Sequence, residues 1–402
     1  MMNDVVDLES WKGRLQPSSG KGGVKSNLTN LMMFVQNVRE LGSNLRWNEF
    51  ASRPEWFGKP ILEHQYVDIR LILEKHNFEP KPADIMPAVL RHCRDNGFHP
   101  VRDYLSALVW DGTARLDHWT QLCLGTSNTA FARLAGRKTL IAAVARAFRP
   151  GCKMDTMLVL EGPQGLRKSS AIATLFGKDW TAESVNLFDQ HNKMVMSIMG
   201  SWAVELAEFV AVQRKDQNSV KGIITMASDR VVLPYAKAAT DHPRQCVFIG
   251  TINPGEGGYL TDSTGNRRYW PVEVSKVDLD LIASRRDQLW AEAYQGFEAG
   301  EPWWMTDAEE ALAQSVVASR EKYDVWDEIL AENLSEFNSV TIASAMQKIG
   351  IPNERMDEKS RDRVISCLKR IGFVSERKDV GQVRGDDGKR HSVRIYRRVS
   401  DG

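Results

Sequence analysis

Apolar positions in the early part of the chain recur at helical spacing. "NLTNLMMFVQNVREL" and "DIRLILEKHNF" place them at i, i+3, i+4 and i+7, and "DIMPAVLRHCRDNG" reads as a helix stopped by its glycine. A further helical pair spans 101–110 and 129–148, so a helical domain or collar is expected over 27–148. Ahead of it, residues 1–26 are polar and rich in Gly, Ser and Lys, which predicts a flexible leader. Its "SGKGG" run is not preceded by the apolar strand that a phosphate loop requires.

The pattern changes near Thr156. Continuous apolar runs at 157–161 (MLVLE), 202–206 (WAVEL), 246–251 (CVFIGT) and 268–274 (RYWPVEV) alternate with helical stretches. Runs of this kind suit parallel strands buried on both faces, so 149–330 is expected to form a three-layer α/β domain whose trailing part, 276–330, is helical. Trp303, Trp304 and Trp326 in or near that part read as core residues. Residues 335–402 then read helix, helix, strand, turn, strand, with "RGDDGKR" as the turn of a hairpin. Helices followed by a hairpin predict a winged helix. Between Lys359 and Arg398 there are 13 Lys and Arg against 5 Asp and Glu, a surplus of 8 that suits a phosphate-bearing partner.

The strongest chemical signal is Gly162-Pro163-Gln164-Gly165-Leu166-Arg167-Lys168-Ser169-Ser170, which lies between the first apolar run and an apolar helix. A glycine-rich loop in that position lets backbone N–H groups close around phosphates. Its lysine neutralises the outer phosphates, its hydroxyl holds Mg²⁺, and the following helix directs its positive dipole end at the same anion. One position departs from G-x-x-x-x-G-K-[ST]: Arg167 stands where the second glycine is expected. That departure leaves two readings, a working ATP site and a degenerate one.

Three further elements follow in order. "WAVELAEF" puts Glu205 and Glu208 at the end of an apolar strand, expected to lie beside the loop's strand and to serve Mg²⁺ and the attacking water; as isolated residues they would equally suit the start of a surface helix. "CVFIGTINP" ends at Thr251 and Asn253, where an amide could orient water against a γ-phosphate or simply open a turn before Pro254. In "LTDSTGNRRYWPVEV", Arg267 and Arg268 occupy a polar loop, either as solvated charges or as guanidinium groups that reach a neighbouring subunit's nucleotide. This order of loop, acidic strand end, polar strand end and arginine pair is that of a ring ATPase.

Bulk properties narrow the class without naming a partner. The chain has 402 residues and a formal net charge of +1, so overall charge points to neither a nucleic acid nor a membrane surface. Its 5 cysteines are scattered without a C-x-x-C pair, which suits reduced thiols better than disulfides or structural zinc. No signal-peptide pattern or spanning apolar run is evident. A soluble, cytoplasmic protein with no membrane partner is the expectation.

The stretches "HPVRDYLSALVWDGTARLD", "VARAFRPGCKMDTMLVLEGPQG", "WAVELAE", "DHPRQCVFIGTINPGEGGYLTDSTGNRRYWPV" and "QLWAEAY", within roughly 98–330, resemble the virulence-associated protein E family. That family belongs to the superfamily 3 helicases of phages and mobile elements, within the AAA+ ATPases. The resemblance implies a hexameric, DNA-encircling ATPase that uses ATP and Mg²⁺ during replication. It implies single-stranded and duplex DNA as partners; because 27–148 carries no evident catalytic carboxylate cluster, a primase would be a separate protein. Carried onto this sequence, Lys168 would bind the outer phosphates, and Ser169 and Glu205 would hold Mg²⁺. Glu208 would polarise water, Asn253 would act as first sensor, and Arg267 or Arg268 would be the finger in trans. The segment 229–244 would hold a DNA-gripping hairpin, with Lys237 foremost and Arg230, Tyr235 and Arg244 next; Arg230 and Arg244 equally suit structural ion pairs with Asp229 or Asp241. The competing reading is a non-catalytic DNA-binding or regulatory protein, degenerate at Arg167.

Overall fold

The computed structural model describes residues 10–20, 23–183, 185–208, 217–233, 238–253, 259–260, 266–321, 324–352, 356–378 and 393–398. The N-terminal unit holds α1 (Leu28–Asn37), α2 (Gln65–Lys75) and α3 (Pro82–Asp95), with β1 (Leu45–Asn48), β2 (Arg53–Trp56), β3 (Lys59–Pro60) and β4 (Gly97–Phe98). These strands pair in the order β3-β2-β1-β4, so the segment expected to be helical also carries a four-stranded sheet. Strands this short show no legible alternation in sequence. Part of the expected leader is likewise packed. Trp11 is buried edge-on to Phe34 with ring centroids 5.0 Å apart, and buried Asn30 donates to the Gln16 and Lys25 carbonyls at 2.9 and 2.8 Å.

Helices α4 (Pro100–Ala107), α5 (Trp119–Leu124) and α6 (Ala130–Phe148) lead into the central unit. The threonine hydroxyl of Thr129 caps α6 by accepting from Ala132 N. From Ala135 onward α6 is buried almost throughout and shares a core with the central sheet, so it belongs to that sheet's cover rather than to a separate collar.

The sheet consists of β5 (Met157–Glu161), β6 (Thr181–Ala182), β7 (Ala203–Leu206), β10 (Val247–Ile252) and β11 (Tyr269–Glu273), all parallel, in the order β11-β5-β10-β7-β6. β8 (Ser228–Val231) and β9 (Thr240–Pro243) form a separate antiparallel pair. Alternation along β5 shows why both faces are dry. Leu158 and Leu160 join the core beneath α6, while Met157 and Val159 join a second core with Val204, Phe248, Val220 and Ile224. The helices involved are α7 (Lys168–Phe176), α8 (His191–Ile198), α9 (Gln217–Thr225) and α10 (Leu279–Glu298). Helix α7 is anchored by an aromatic group in the core. Phe176 lies edge-on to Trp202 and Trp290, and the indole N–H of Trp290 donates to Leu175 O at 2.8 Å.

Helix α11 (Asp307–Ala318) completes the central unit. Trp304 beside it is 54% exposed, against the expectation of a core position. The C-terminal unit holds α12 (Val325–Asn333), β12 (Ser339–Thr341), α13 (Ile342–Lys348), α14 (Glu358–Arg370), β13 (Phe373–Lys378) and β14 (Val393–Arg398), with an antiparallel sheet ordered β12-β14-β13. Leu330 and Leu334 share its core with Leu368, Phe373 and Tyr396, so the unit begins with α12 rather than at 335. The expected turn at 384–390 lies outside the described residues.

Candidate active site

Strand β5 ends at Glu161, and the chain turns at Gly162 into α7. Only glycine fits at 162, because a Cβ there would come within 2.5 Å of the Val274 carbonyl oxygen. Gly165 then takes φ +86°. Arg167 is left-handed as well, at φ 60° and ψ 35°. This accounts for the missing glycine. The backbone angles that the loop requires at 167 are retained, at a strain of roughly 1–2 kcal/mol for an L-residue, and the side chain is exposed.

The sheet order brings the next residues to the loop. β10 lies between β5 and β7, so the acidic strand is one strand removed from the loop's strand and not beside it as the sequence suggested. Glu205, 2% exposed, still reaches the loop. Its Oε1 accepts from Ser169 Oγ at 2.7 Å and from Thr251 Oγ1 at 2.6 Å. Lys168 Nζ donates to the Gly162 and Pro163 carbonyl oxygens at 2.6 and 3.0 Å. Burial draws its ammonium below the ordinary lysine range, and the nearby Glu205 carboxylate opposes that shift.

Lys168, Ser169 and Thr251 line a cleft of about 590 Å³ together with Gln164, Gly165, Leu166, Arg167, Ser170, Glu208 and Asn253, a size that suits a small-molecule ligand. Pro163 and Gln164 are exposed, and Leu166 packs onto the core. Glu208 is exposed with φ 49°, and Asn253 follows β10 directly. The cleft sits outside the carboxyl ends of β5 and β10, where the chain order reverses across the sheet.

Two expected groups are not in this cleft. Arg267 and Arg268 form a 3₁₀ turn just before β11, and Tyr269 pairs with Met157 at the start of β5. The loop lies at the opposite end of that strand, about 16 Å away at strand rise. The pair therefore lies at the end of the sheet away from its own loop.

The DNA candidates separate too. Arg230 is exposed on β8, within 3.8 Å of Asp241. Arg244 is a correction: it is 4% exposed, forks onto Asp229 at 2.6 and 2.8 Å, and also donates to Ile223 O. A guanidinium held by a buried carboxylate cannot reach a phosphate. Tyr235 and Lys237 lie outside the described residues. Sequence reasoning gave no role to Thr251, and it missed Glu161, whose carboxylate is buried directly behind the loop. Glu161's cationic partner is Arg320, too distant in sequence for any spacing to reveal.

Among the described residues no helix is long and apolar enough to cross a membrane, and none form a cluster of three or more His, Cys, Asp or Glu side chains around a metal-sized space. No curated protein sequence matches the chain. The apo structure of the NrS-1 C-terminal region (305–718) is similar at 12% identity and TM-score 0.48, covering 88% of this chain and 96% of that one. An A-form apo structure of the same region gives 12%, 0.46, 88% and 96%, and a further A-form structure gives 14%, 0.41, 73% and 78%. The model of the virulence-associated protein E-like domain matches residues 105–322, more than half of the sequence and the whole of the cleft just described, and the chain belongs to that family.

Proposed function

We propose that this chain is an ATP-dependent DNA helicase or replication initiator of a phage or mobile genetic element, acting as a homo-oligomeric, hexameric ring. The observation that carries the ATPase reading is the bond from Ser169 Oγ to Glu205 Oε1, which joins the loop hydroxyl to the buried acid. The donor set fits Mg²⁺-ATP, because Mg²⁺ bound with phosphates needs only one or two protein oxygens and no dedicated cage. Ser169 and Glu205 would hold the ion, which when bound supplies positive charge against the phosphates. Lys168 would exchange its carbonyl partners for phosphate oxygens, Glu208 would orient the attacking water, and Asn253 would bond the γ-phosphate or that water.

The doubly covered parallel sheet supports an AAA+-type unit. The placement of Arg267 and Arg268 supports a finger in trans, since they lie far from their own loop. The C-terminal arrangement supports a basic winged helix for duplex DNA, and Arg230 on its exposed strand supports single-strand contact in the channel. A separate primase and a cytoplasmic location in the host cell complete the proposal. The left-handed backbone at Arg167 supports an open loop over a blocked one.

The test is steady-state ATP hydrolysis with Mg²⁺, with and without single-stranded DNA, for wild type and Lys168→Ala. DNA-stimulated turnover that the substitution abolishes is expected. Turnover retained in Lys168→Ala would refute the site, and a folded, DNA-binding wild type without turnover would favour the degenerate reading.

A further inference from the structure

The carboxylate of Glu161 is 4% exposed and is the last side chain before the phosphate loop. It is held by two groups from distant segments. Tyr259 OH donates to Oε1 at 2.7 Å, and Arg320 Nη2 donates to Oε2 at 3.1 Å. Burial, with the carboxylate beside it, pushes the Tyr259 phenol well above its ordinary range, so this hydroxyl remains a donor.

Arg320 and its neighbour make three further connections. The Arg320 carbonyl oxygen accepts from both Tyr259 N and Leu260 N, at 2.9 and 3.0 Å, in the segment that follows Asn253. Leu260 and Glu321 form a β-bridge. Glu321 Oε1 accepts from Asn266 Nδ2 at 3.0 Å, and Asn266 immediately precedes the arginine pair. Three residues beyond Glu321, Asp324 caps α12 and pairs with Arg363 of α14 at 2.7 Å. One dipeptide therefore touches the base of the phosphate loop, the segment after the sensor position and the turn that carries the trans arginines. It also stands at the entry to the C-terminal unit.

We infer that Arg320 is a positioning residue that fixes the base of the phosphate loop through Glu161 and couples nucleotide occupancy to the C-terminal unit. The inference rests on the nucleotide-binding reading above. When nucleotide engages the loop, any shift at Gly162 is transmitted through the rigid Glu161–Arg320 fork rather than lost in solvent, because Glu161 is buried and Arg320 is bonded through both side chain and backbone. Glu321 lines one cavity with Lys369 and Arg370 of α14, and the aspartate that caps α12 also holds Arg363 of α14.

The experiment uses the full-length chain and a non-hydrolysable ATP analogue with Mg²⁺. Hydrogen exchange is followed in α12 and α14 with and without the analogue, alongside its binding affinity and the duplex-DNA affinity. In wild type the analogue is expected to change exchange in both helices and duplex affinity by about fivefold or more, the range of ordinary allosteric coupling. Arg320→Met is expected to remove both changes and to lower kcat by about tenfold through misplacement of the loop, with Arg320→Lys restoring part of each. Glu161→Gln, close in size, is the second variant and is expected to uncouple in the same way if Arg320→Met fails to fold. An analogue that does not bind wild type overturns the nucleotide reading itself. An analogue that binds wild type without altering α12 and α14, or whose effect survives in Glu161→Gln and Arg320→Met, overturns this inference alone.

Discussion

Replacing Arg167 by glycine tests the claim that the loop tolerates this residue by strain. The backbone at 167 sits at φ 60° and ψ 35°. Holding an L-residue there costs roughly 1–2 kcal/mol. Glycine removes that cost but loses more backbone entropy on folding, about 0.5–1 kcal/mol. No side-chain capping bond at 167 is sacrificed in the exchange, since the arginine makes none to α7. Arg167→Gly should therefore stabilise the central unit by about 0.5–1 kcal/mol, or roughly 1–4 °C in melting temperature for a unit of this size. Arg167→Ala is the control: it removes the guanidinium and keeps the strain, so it should not be stabilised. Thermal melts of the three proteins, followed by ATP turnover, read both parts. Equal melting temperatures for the glycine and alanine variants would refute the strain argument. Turnover gained only in Arg167→Gly would show that the native loop is impaired rather than tolerant.

Two further substitutions separate structural from DNA-facing arginines. Arg244→Met leaves the buried Asp229 carboxylate without its guanidinium, with His191 Nε2 at 3.9 Å, and should cost about 3 kcal/mol or more in urea unfolding, whereas Arg230→Ala, on an exposed pair, should leave stability unchanged and weaken single-strand binding; the opposite pattern would reverse the two assignments. Acid stability should depend on His99, whose Nδ1 accepts from Arg102 N at 3.1 Å and whose Nε2 faces Gln245 Oε1 at 2.6 Å. Burial lowers its pKa below the ordinary histidine range, outweighing the Gln245 bond. The unfolded chain then binds the proton more readily, so stability is full above about pH 6.5 and falls as pH drops through that value toward the folded pKa. His99→Gln should flatten this limb of a stability–pH curve, and an unchanged limb would assign the acid sensitivity to other groups.

The legible part of the site was the part that is contiguous in sequence. Gly162 to Ser170 could be read because the loop's chemistry is local, and Glu205 because it ends an apolar run of the right length. The strand order could not be read. β5, β7 and β10 carry the same apolar pattern, and nothing in them states that β10 sits in the middle, so the sequence alone places Glu205 beside the loop's strand and leaves the Thr251 hydroxyl without a partner to predict. Two-residue strands such as β3, β4 and β6 fall below any periodicity. The packing of Trp11 and the pairing of Glu161 with Arg320 depend on contacts across the fold. Arg244 was ambiguous for another reason: a buried and an exposed arginine look alike in sequence, and only the Asp229 fork distinguishes them.

The same distinction bears on the C-terminal charge. The stretch from Lys359 to Arg398 carries a surplus of 8 positive groups, yet Arg363 pairs with Asp324 and Arg370 with Asp327, acids that lie outside that stretch, which reduces the surplus to 6. Both arginines lie on α14, and Arg363 also stacks over Trp326 at 3.7 Å, so its guanidinium is committed to the unit's own core edge. Each phosphate neutralised contributes about −0.9 to the slope of log K against log salt on duplex DNA. Two arginines held in these pairs are two fewer phosphate contacts, so the slope is expected to be shallower by about 2 than if both engaged DNA. Titrations of duplex across a range of salt concentrations decide between them. A slope that becomes shallower by about 1 in each of Arg363→Met and Arg370→Met would mean that the aspartate pairs open on DNA and that α14 presents both arginines to the phosphates, whereas a slope unchanged in both variants would keep the arginines in their structural role.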